Sequence, residues 1–589
     1  MNVRESDGFW SFCLLIFLLC FARETSCQGF LKANGKQIVN EKGGKVILRG
    51  MGLGGWMLQE GYMLQLENIA NQQWYIREKI QELIGPERTS EFYEAWLANH
   101  LRKIDVDSMA AWGFNSIRLP LHYNLFTLPV EQEAVPGQQT WLTKGFALTD
   151  SLLTWCKANK MYLILDLHAA PGGQGNDLAI ADRDDSKPSL WQSDANQQKT
   201  IALWRKLAER YASEPWLGAY DIINEPNWGF ESKEDDHGCG EQKNEPLKKL
   251  MMSITQVIRE VDKNHIIIVE GNCWGNNYGG MLPLWDKNMV MSFHKYWNYN
   301  DKASIQKYLD LREKYDVPVW LGESGENSNV WFRDAIRLME DHDIGWCWWP
   351  LKKLGFNNPL EVKLPTGYQG ILDFWEGKGT KPSGDQAYRT FMELAENTKL
   401  ENCIFHQDVV DAMFRQVRSS KAMPFAKHLV EAQAVIQAVN YDLGGNGVAY
   451  FDRDTADFHI SSGSDWTAWN YGHVYRNDGV DIERTTGSDA NEYYVTRFES
   501  GEWLQYSFFV EQKGVYVLKI AVSSELSTGK ILLASGSFSV TKPVPNTGAP
   551  DAWETIEVPD LHLDQGNQIL KVTAKIGGFN FKSFELYRK

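Results

Sequence analysis

Positive charge is in short supply in this sequence. Its 60 Lys and Arg are outnumbered by 76 Asp and Glu, for a formal net charge of −16. That balance argues against nucleic acid or an anionic membrane surface as the main partner. Cysteine is also scarce, with 8 in 589 residues. Cys13, Cys20 and Cys27 lie at the N-terminus. The others, Cys156, Cys239, Cys273, Cys347 and Cys403, are odd in number and widely spaced. They form neither a disulfide framework nor a zinc-ligand pattern, so at most isolated bridges are expected, with Cys239 in a polar loop as first candidate. Long apolar runs are missing too. The strongest, Phe12 to Ala22, is too short to span a bilayer. With Arg4 before it and Thr25-Ser26-Cys27 after it, it has the layout of a secretory signal peptide over residues 1–27. Secretion follows as an expectation. A lipid anchor on Cys27 is disfavoured by Glu24, which stands where an apolar residue is wanted. Residues 28–589 contain no Asn-x-Ser/Thr acceptor, and no G-x-G-x-x-G follows the first apolar strand. The second absence removes the usual dinucleotide motif of a doubly wound sheet.

What the chain does have is aromatic surface and a repeating rhythm. Aromatics make up 13% of it, including 24 Trp. Most of these rings fill a core, yet so many also suit a sugar-binding surface, because sugar rings have apolar faces that stack on Trp and Tyr. From about residue 45 to 352, eight short β-rich runs alternate with helical stretches. They begin KVILRGMGL (45–53), FNSIRLPLHY (114–123), MYLILDLHAA (161–170) and WLGAYDIINEP (216–226). HIIIVEGNCWG (265–275), MVMSFHKYW (289–297), VPVWLGESG (317–325) and GWCWWPLK (345–352) complete the set. Continuous apolar runs read as strands covered on both faces. Eight such units predict an α/β fold, a closed (β/α)8 TIM barrel over residues 28–400, in preference to an open doubly wound sheet. Residues 401–433 read as a helical connector. From 434 to 589, short alternating strands such as EWLQYSFFVE and GVYVLKIAVSS predict an all-β sandwich of jelly-roll type. No extended Pro/Ser linker separates the two domains, so they are expected to pack together.

The barrel reading places function at the C-terminal ends of the strands. Polar residues collect there. The second strand offers Arg118 and His122, and the third Asp166 and His168. The fourth ends in Asn224-Glu225-Pro226, the sixth in His294 and Tyr296, the seventh in Glu323 and the eighth in Trp348-Trp349. Two carboxylates at one mouth suit glycoside hydrolysis, where one must be protonated and the other ionised. Arg118 would keep one ionised, and an apolar wall would keep the other protonated. Asp166 is read as a structural acceptor. For Glu270, ending the fifth strand, a salt-bridge role is favoured over a functional one. No close pair of His, Asp or Glu ligands marks a metal site.

The motifs GFNSIRLPLHY, LILDLHAAPGGQ, YDIINEPN, SFHKYW, WLGESGE and GWCWWPLKK, in this order, resemble glycoside hydrolase family 5 over roughly residues 30 to 395. The resemblance implies Glu225 as general acid/base and Glu323 as nucleophile. It also implies Asn224 on the sugar 2-hydroxyl, and Arg118 and Tyr296 beside the nucleophile. His168 and His294 would line the site, Trp349 would floor it, and no cofactor is needed. GLGGWMLQEGY is similar to the segment by which exo-β-1,3-glucanases of the family bind the terminal glucose, which implies that role for Glu60. His122, the SGENSN segment and the long acidic loop DLAIADRDDSKPSLW depart from that group, and Glu60, His122 and the acidic loop near Asp184 are expected to decide the substrate. A β-glucan is the preferred substrate class. β-1,6-Glucan, mannan and a glycosylceramide are alternatives with the same chemistry, and a non-catalytic sugar-binding protein is the remaining one. The protein is taken to act as a monomer.

The C-terminal stretches IQAVNYDLGGNGVAYFD, YRNDGVDIE and GGFNFKSFELY resemble a family 6 carbohydrate-binding module. Its ligand-reading positions look eroded. Arg497 and Pro550 stand where stacking rings are usual, and Gln437 and Val439 replace glutamates commonly tied to a structural calcium. Trp553 and Asn580 are retained. Losing two stacking rings implies a domain that is structural or that binds through another surface.

Overall fold

The computed structural model describes residues 29–459, 469–486 and 492–589. The expected signal segment lies outside them. Among the described residues no helix is long and apolar enough to cross a membrane.

Strands apolar on both faces are buried on both faces here. Eight of them, β1 (Arg49–Gly52), β2 (Ser116–His122), β3 (Tyr162–Ala169), β4 (Leu217–Asp221), β5 (Ile266–Glu270), β6 (Met289–Lys295), β7 (Val319–Gly325) and β8 (Gly345–Trp349), are the runs read from the sequence. They pair in parallel in chain order, and β8 closes on β1. The period-2 geometry of a strand sorts their side chains. Leu163, Leu165 and Leu167 face the outer helices. Tyr162, Ile164, Ile266, Ile268, Val290 and Trp320 fill the lower barrel interior, where Leu31 and Ile38 of an N-terminal hairpin join them. Apolar packing thus seals the bottom of the barrel. The inward positions further up, Asp166, Glu270 and His294, are polar.

Strand β7 keeps this alternation by a bulge. Phe293 pairs with Leu321 and His294 with Glu323, leaving Gly322 as the extra residue that turns Glu323 inward. A Cβ at Gly322 would meet Ser292 Oγ at 2.1 Å, so the bulge needs glycine.

The connector differs from its reading. Its α-helix covers only Gln407–Arg418. Ile404–Phe405 pairs with Leu360–Glu361, and Leu429–Val430 pairs with Phe509–Val510, so its ends are stitched into the two domains by backbone hydrogen bonds. Two six-stranded sheets follow. In Trp503–Val510 the alternate residues Leu504, Tyr506, Phe508 and Val510 are buried, as a sandwich strand requires. The sandwich and barrel cores are separate, and polar contacts between the domains are buried at Ser328, Asn329 and Asn477.

Candidate active site

Arg118 is the hub of the barrel mouth. It is fully buried, and a buried guanidinium needs partners for every donor. Its Nε donates to Asp221 Oδ2 at 3.0 Å, Nη1 to Glu323 Oε2 at 2.8 Å, and Nη2 to Asn224 Oδ1 at 2.7 Å and Glu270 Oε1 at 3.1 Å. Asp166 Oδ2 lies 3.2 Å from Nη1. Burial opposes the charge on Arg118, but these carboxylates outweigh it. The other Glu323 oxygen accepts the Tyr296 hydroxyl at 2.8 Å. Both Glu323 oxygens are therefore held by donors.

Glu225 is held differently. It has φ of +40°, a rare conformation for a residue with a Cβ. Three neighbours hold it there. Its N–H donates to Glu270 Oε2 at 2.7 Å, its carbonyl accepts from Asn227 Nδ2 at 2.8 Å, and its Oε1 lies 2.6 Å from His294 Nδ1. Burial raises the Glu225 carboxyl above its ordinary pKa, with His294 opposing in part. Burial opposes a charge on His294 too, but Glu270 and Glu225 outweigh it and raise its pKa well above the imidazole range. Burial likewise pushes Glu270 up, yet His294 and Arg118 draw it down to about 2. Glu270 is thus a salt-bridge partner, as read from the sequence, but one that fixes the backbone of Glu225.

One oxygen of Glu225, one ring nitrogen of His294 and one oxygen of Glu323 lie within 4.8 Å of one another. Three such groups can in principle hold a metal. Here His294 Nδ1 is engaged by Glu225, and the Glu323 oxygens by Tyr296 and Arg118. A guanidinium already supplies the positive charge, so the donor set does not fit a cation well.

The carboxylates open into a cavity of about 930 Å³. Glu60, His168, Glu225, His294, Tyr296, Glu323 and Trp349 all line it, and Arg118 and Asn224 stand behind Glu323 and Glu225. Asn224 Nδ2 is buried and finds no partner among the described residues, which leaves a donor for a ligand. His168 is fixed by Asp166 at 2.7 Å and lies parallel to Trp349, with centroids 5.1 Å apart. Trp349 Nε1 donates to Tyr62 Oη at 2.8 Å. Gly52 and Gly54 give this indole room, since a Cβ at either would approach it within 2.8 Å. Trp348 is core, as expected. Burial, then the charges of Glu323 and Glu326, raise the Glu60 carboxyl well above its ordinary value.

Two expectations about specificity change. His122 does not line the cavity; it is buried with Nε2 2.8 Å from Asp182 Oδ2. Asp182 also caps Trp74 N at 2.8 Å, so these two departures from the glucanase pattern pair with each other to anchor the acidic loop. Asp184 points away, to Ser186 and Lys187. Asp177, Ala179 and Ile180 are the loop residues that reach the cavity. Sequence reasoning also missed Tyr62, Trp274, Trp297 and Glu326 in the wall. Trp274, Trp297 and Glu326 have positive φ, a signal that one-dimensional patterns do not carry. Cys239 does form a bridge, with Cys273 beside Trp274.

A parallel eight-stranded barrel with this carboxylate pair at its C-terminal mouth is the architecture of an O-glycosyl hydrolase, and comparison with known proteins places the chain in that class. Residues 81–355 match the family model for cellulase, glycosyl hydrolase family 5. A β-xylosidase of Phanerodontia chrysosporium is 26% identical over 382 residues, covering 59% of this chain and 75% of that protein. Endoglucanase C of Acetivibrio thermocellus is 25% identical over 328 residues, covering 45% and 88% respectively. Glucan 1,3-beta-glucosidase 1 of Schizosaccharomyces pombe is 21% identical over 404 residues, covering 58% and 90%.

Residues 476–586 match a family 35 carbohydrate binding module, not the family 6 module of the sequence reading. Both are carbohydrate-binding modules. In this one the Arg497 guanidinium lies 3.5 Å from the centroid of the Tyr471 ring. Asn580 is satisfied internally, donating to Pro550 O at 3.0 Å and accepting from Thr496 Oγ1 at 3.2 Å.

Proposed function

We propose that the protein is a secreted β-glycosidase that acts on a β-glucan with retention of configuration. Glu225 is its acid/base and Glu323 its nucleophile. One observation carries the assignment: both Glu323 oxygens are held by Arg118 and Tyr296, while burial raises Glu225. A carboxyl held by two donors suits the nucleophile, and a buried one with a raised pKa suits the acid. Retaining enzymes place the carboxyls about 5–5.5 Å apart and inverting ones about 6.5–9.5 Å. One oxygen of Glu225 lies within 4.8 Å of one oxygen of Glu323, a close approach that agrees with the shorter spacing.

In the first step a Glu323 oxygen attacks the anomeric carbon as the glycosidic C–O bond breaks. Glu225 gives its proton to the departing oxygen. In the second, Glu225 takes a proton from water, the water oxygen attacks the anomeric carbon, and Glu323 leaves. Asn224 Nδ2 is free to bind the 2-hydroxyl. Trp349 offers its face to the sugar, and Glu60, with a raised carboxyl, bonds hydroxyls further along. The glucan preference rests on Glu60 in its GGW-x-x-x-E segment and on glucanases among the relatives.

Incubation with a panel of β-1,3-, β-1,4- and β-1,6-glucans, mannan, xylan and glycosylceramide tests this, with the first-formed anomer read by NMR. A β-glucan should be cleaved fastest, with the β-anomer released first. Release of the α-anomer, or preference for xylan or mannan, would overturn the respective part.

A further inference from the structure

Three loops on one side of the sugar cavity touch the C-terminal sandwich. The first follows β6. Its Trp297 lines the cavity and donates to Glu326 O at 3.0 Å, and two residues on Tyr299 packs its ring 4.0 Å from His459. The second follows β7 and carries Glu326, which faces the cavity with φ of +52°. The third follows β8. Its Lys353 pairs with Glu326 at 2.7 Å, both side chains being mostly buried, and its Phe356 packs on Trp469 and His473 at 5.6 and 5.7 Å.

The grip is tightest on the second loop. Asn477 of the sandwich is fully buried, and so are Asn327 and Ser328. Asn477 Nδ2 donates to Asn327 O at 2.8 Å and to Asn329 Oδ1 at 3.1 Å, while Asn477 O accepts Asn329 N at 2.7 Å. Ser328 Oγ donates to Ala456 O. Asp408, on the connector helix, accepts from both Asn329 Nδ2 and Asn477 N, at 2.7 and 2.8 Å. The clamped residues begin four positions after Glu323 and one after Glu326. A residue at φ near +52° is strained unless its surroundings fix it. The fixing contacts here come from the Lys353 pair on one side and the sandwich on the other.

We infer that the C-terminal sandwich is a built-in part of the hydrolytic site: Asn477 is a positioning residue that holds the 325–329 loop and, through it, the Glu326–Lys353 wall of the sugar cavity. This goes beyond a carbohydrate-binding appendage, and it rests on the reading of this cavity as the sugar site. Removing the Asn477 amide leaves two buried acceptors short of a donor, and a small misplacement of a binding group costs up to about a hundredfold in rate.

The test uses full-length Asn477→Ala, Glu326→Gln and their double variant, with the β-glycoside that the wild type cleaves best. Wild-type turnover thereby tests the substrate reading separately. Asn477→Ala should raise KM about tenfold with kcat within about threefold of wild type, and Glu326→Gln should do the same. The double variant should be no worse than about threefold beyond the weaker single, because both act on one wall. Additive effects, or a wild-type KM in Asn477→Ala whose thermal midpoint alone falls, would overturn the inference. Should Asn477→Ala fail to fold, Phe356→Ala reads the same wall from the third loop. A raised KM supports the inference and an unchanged KM overturns it.

Discussion

Glu270→Gln is the most exacting perturbation of this site, because it changes one atom type and almost no volume. Glu270 Oε2 accepts the Glu225 N–H at 2.7 Å, and Oε1 lies 3.1 Å from both Arg118 Nη2 and His294 Nε2. A glutamine can keep the first contact only by placing its NH2 group against the two other donors. Flipped, it sets NH2 against the Glu225 N–H. Either way buried donors face donors, at a cost of about 1–3 kcal/mol each. The lost negative charge also removes a main reason that His294 carries a proton. In either orientation the anchor of the strained Glu225 backbone is weakened, so the loss falls on the transition state. A cost of about 1.4–2.8 kcal/mol is a loss of roughly ten- to a hundredfold in kcat/KM, carried by kcat. The assay is kcat/KM on an aryl β-glucoside alongside the far-UV circular dichroism of the folded variant. A folded Glu270→Gln enzyme within about threefold of wild type would refute the reasoning.

Other consequences are equally open to measurement. Burial raises Glu225, and in the proposed mechanism its protonated form is the working one, so kcat/KM should fall as pH rises through that raised value, above the ordinary Glu range; Glu225→Gln should abolish this basic limb in a pH profile. Glu225→Gln should also lose about 10²–10⁴ in rate on substrates with poor leaving groups and far less on a dinitrophenyl glycoside, with azide restoring turnover. Tyr296→Phe removes one donor from Glu323 without opening a cavity and should lower kcat/KM by about tenfold or more in steady-state assays. The Cys239–Cys273 bridge spans 34 residues, so Cys239→Ser should cost about 3–4 kcal/mol in denaturant unfolding of the full chain. Because Cys273 adjoins Trp274 in the cavity wall, KM should rise with it.

The barrel was legible because both-face burial writes itself as continuous apolar runs, and the eight runs are the eight strands. The site residues were legible because a polar side chain ending an apolar strand is costly to bury unless it pairs or reacts. Glu225, Glu323, Arg118 and Tyr296 converge as read. Glu270 was undervalued, since a strand-end carboxylate looks alike whether it pairs idly or anchors another residue's backbone. His122 was overvalued, because its partner Asp182 lies 60 residues away and only the fold brings them together. The walls at Trp274, Trp297 and Glu326 depend on positive φ values set by tertiary contacts, which no local pattern encodes. The family 6 resemblance of the sandwich gave way to a family 35 match over residues 476–586.

The role of Glu323 is tested most directly by incubation with a 2-deoxy-2-fluoro β-glucoside carrying a good leaving group, then peptide mass spectrometry of the inactivated enzyme. Retention through Glu323 predicts a single fluoroglucosyl ester on the peptide bearing Glu323, absent in Glu323→Gln. A label on Glu225, or time-independent inhibition with no covalent adduct while the enzyme turns over ordinary β-glucosides, would contradict it.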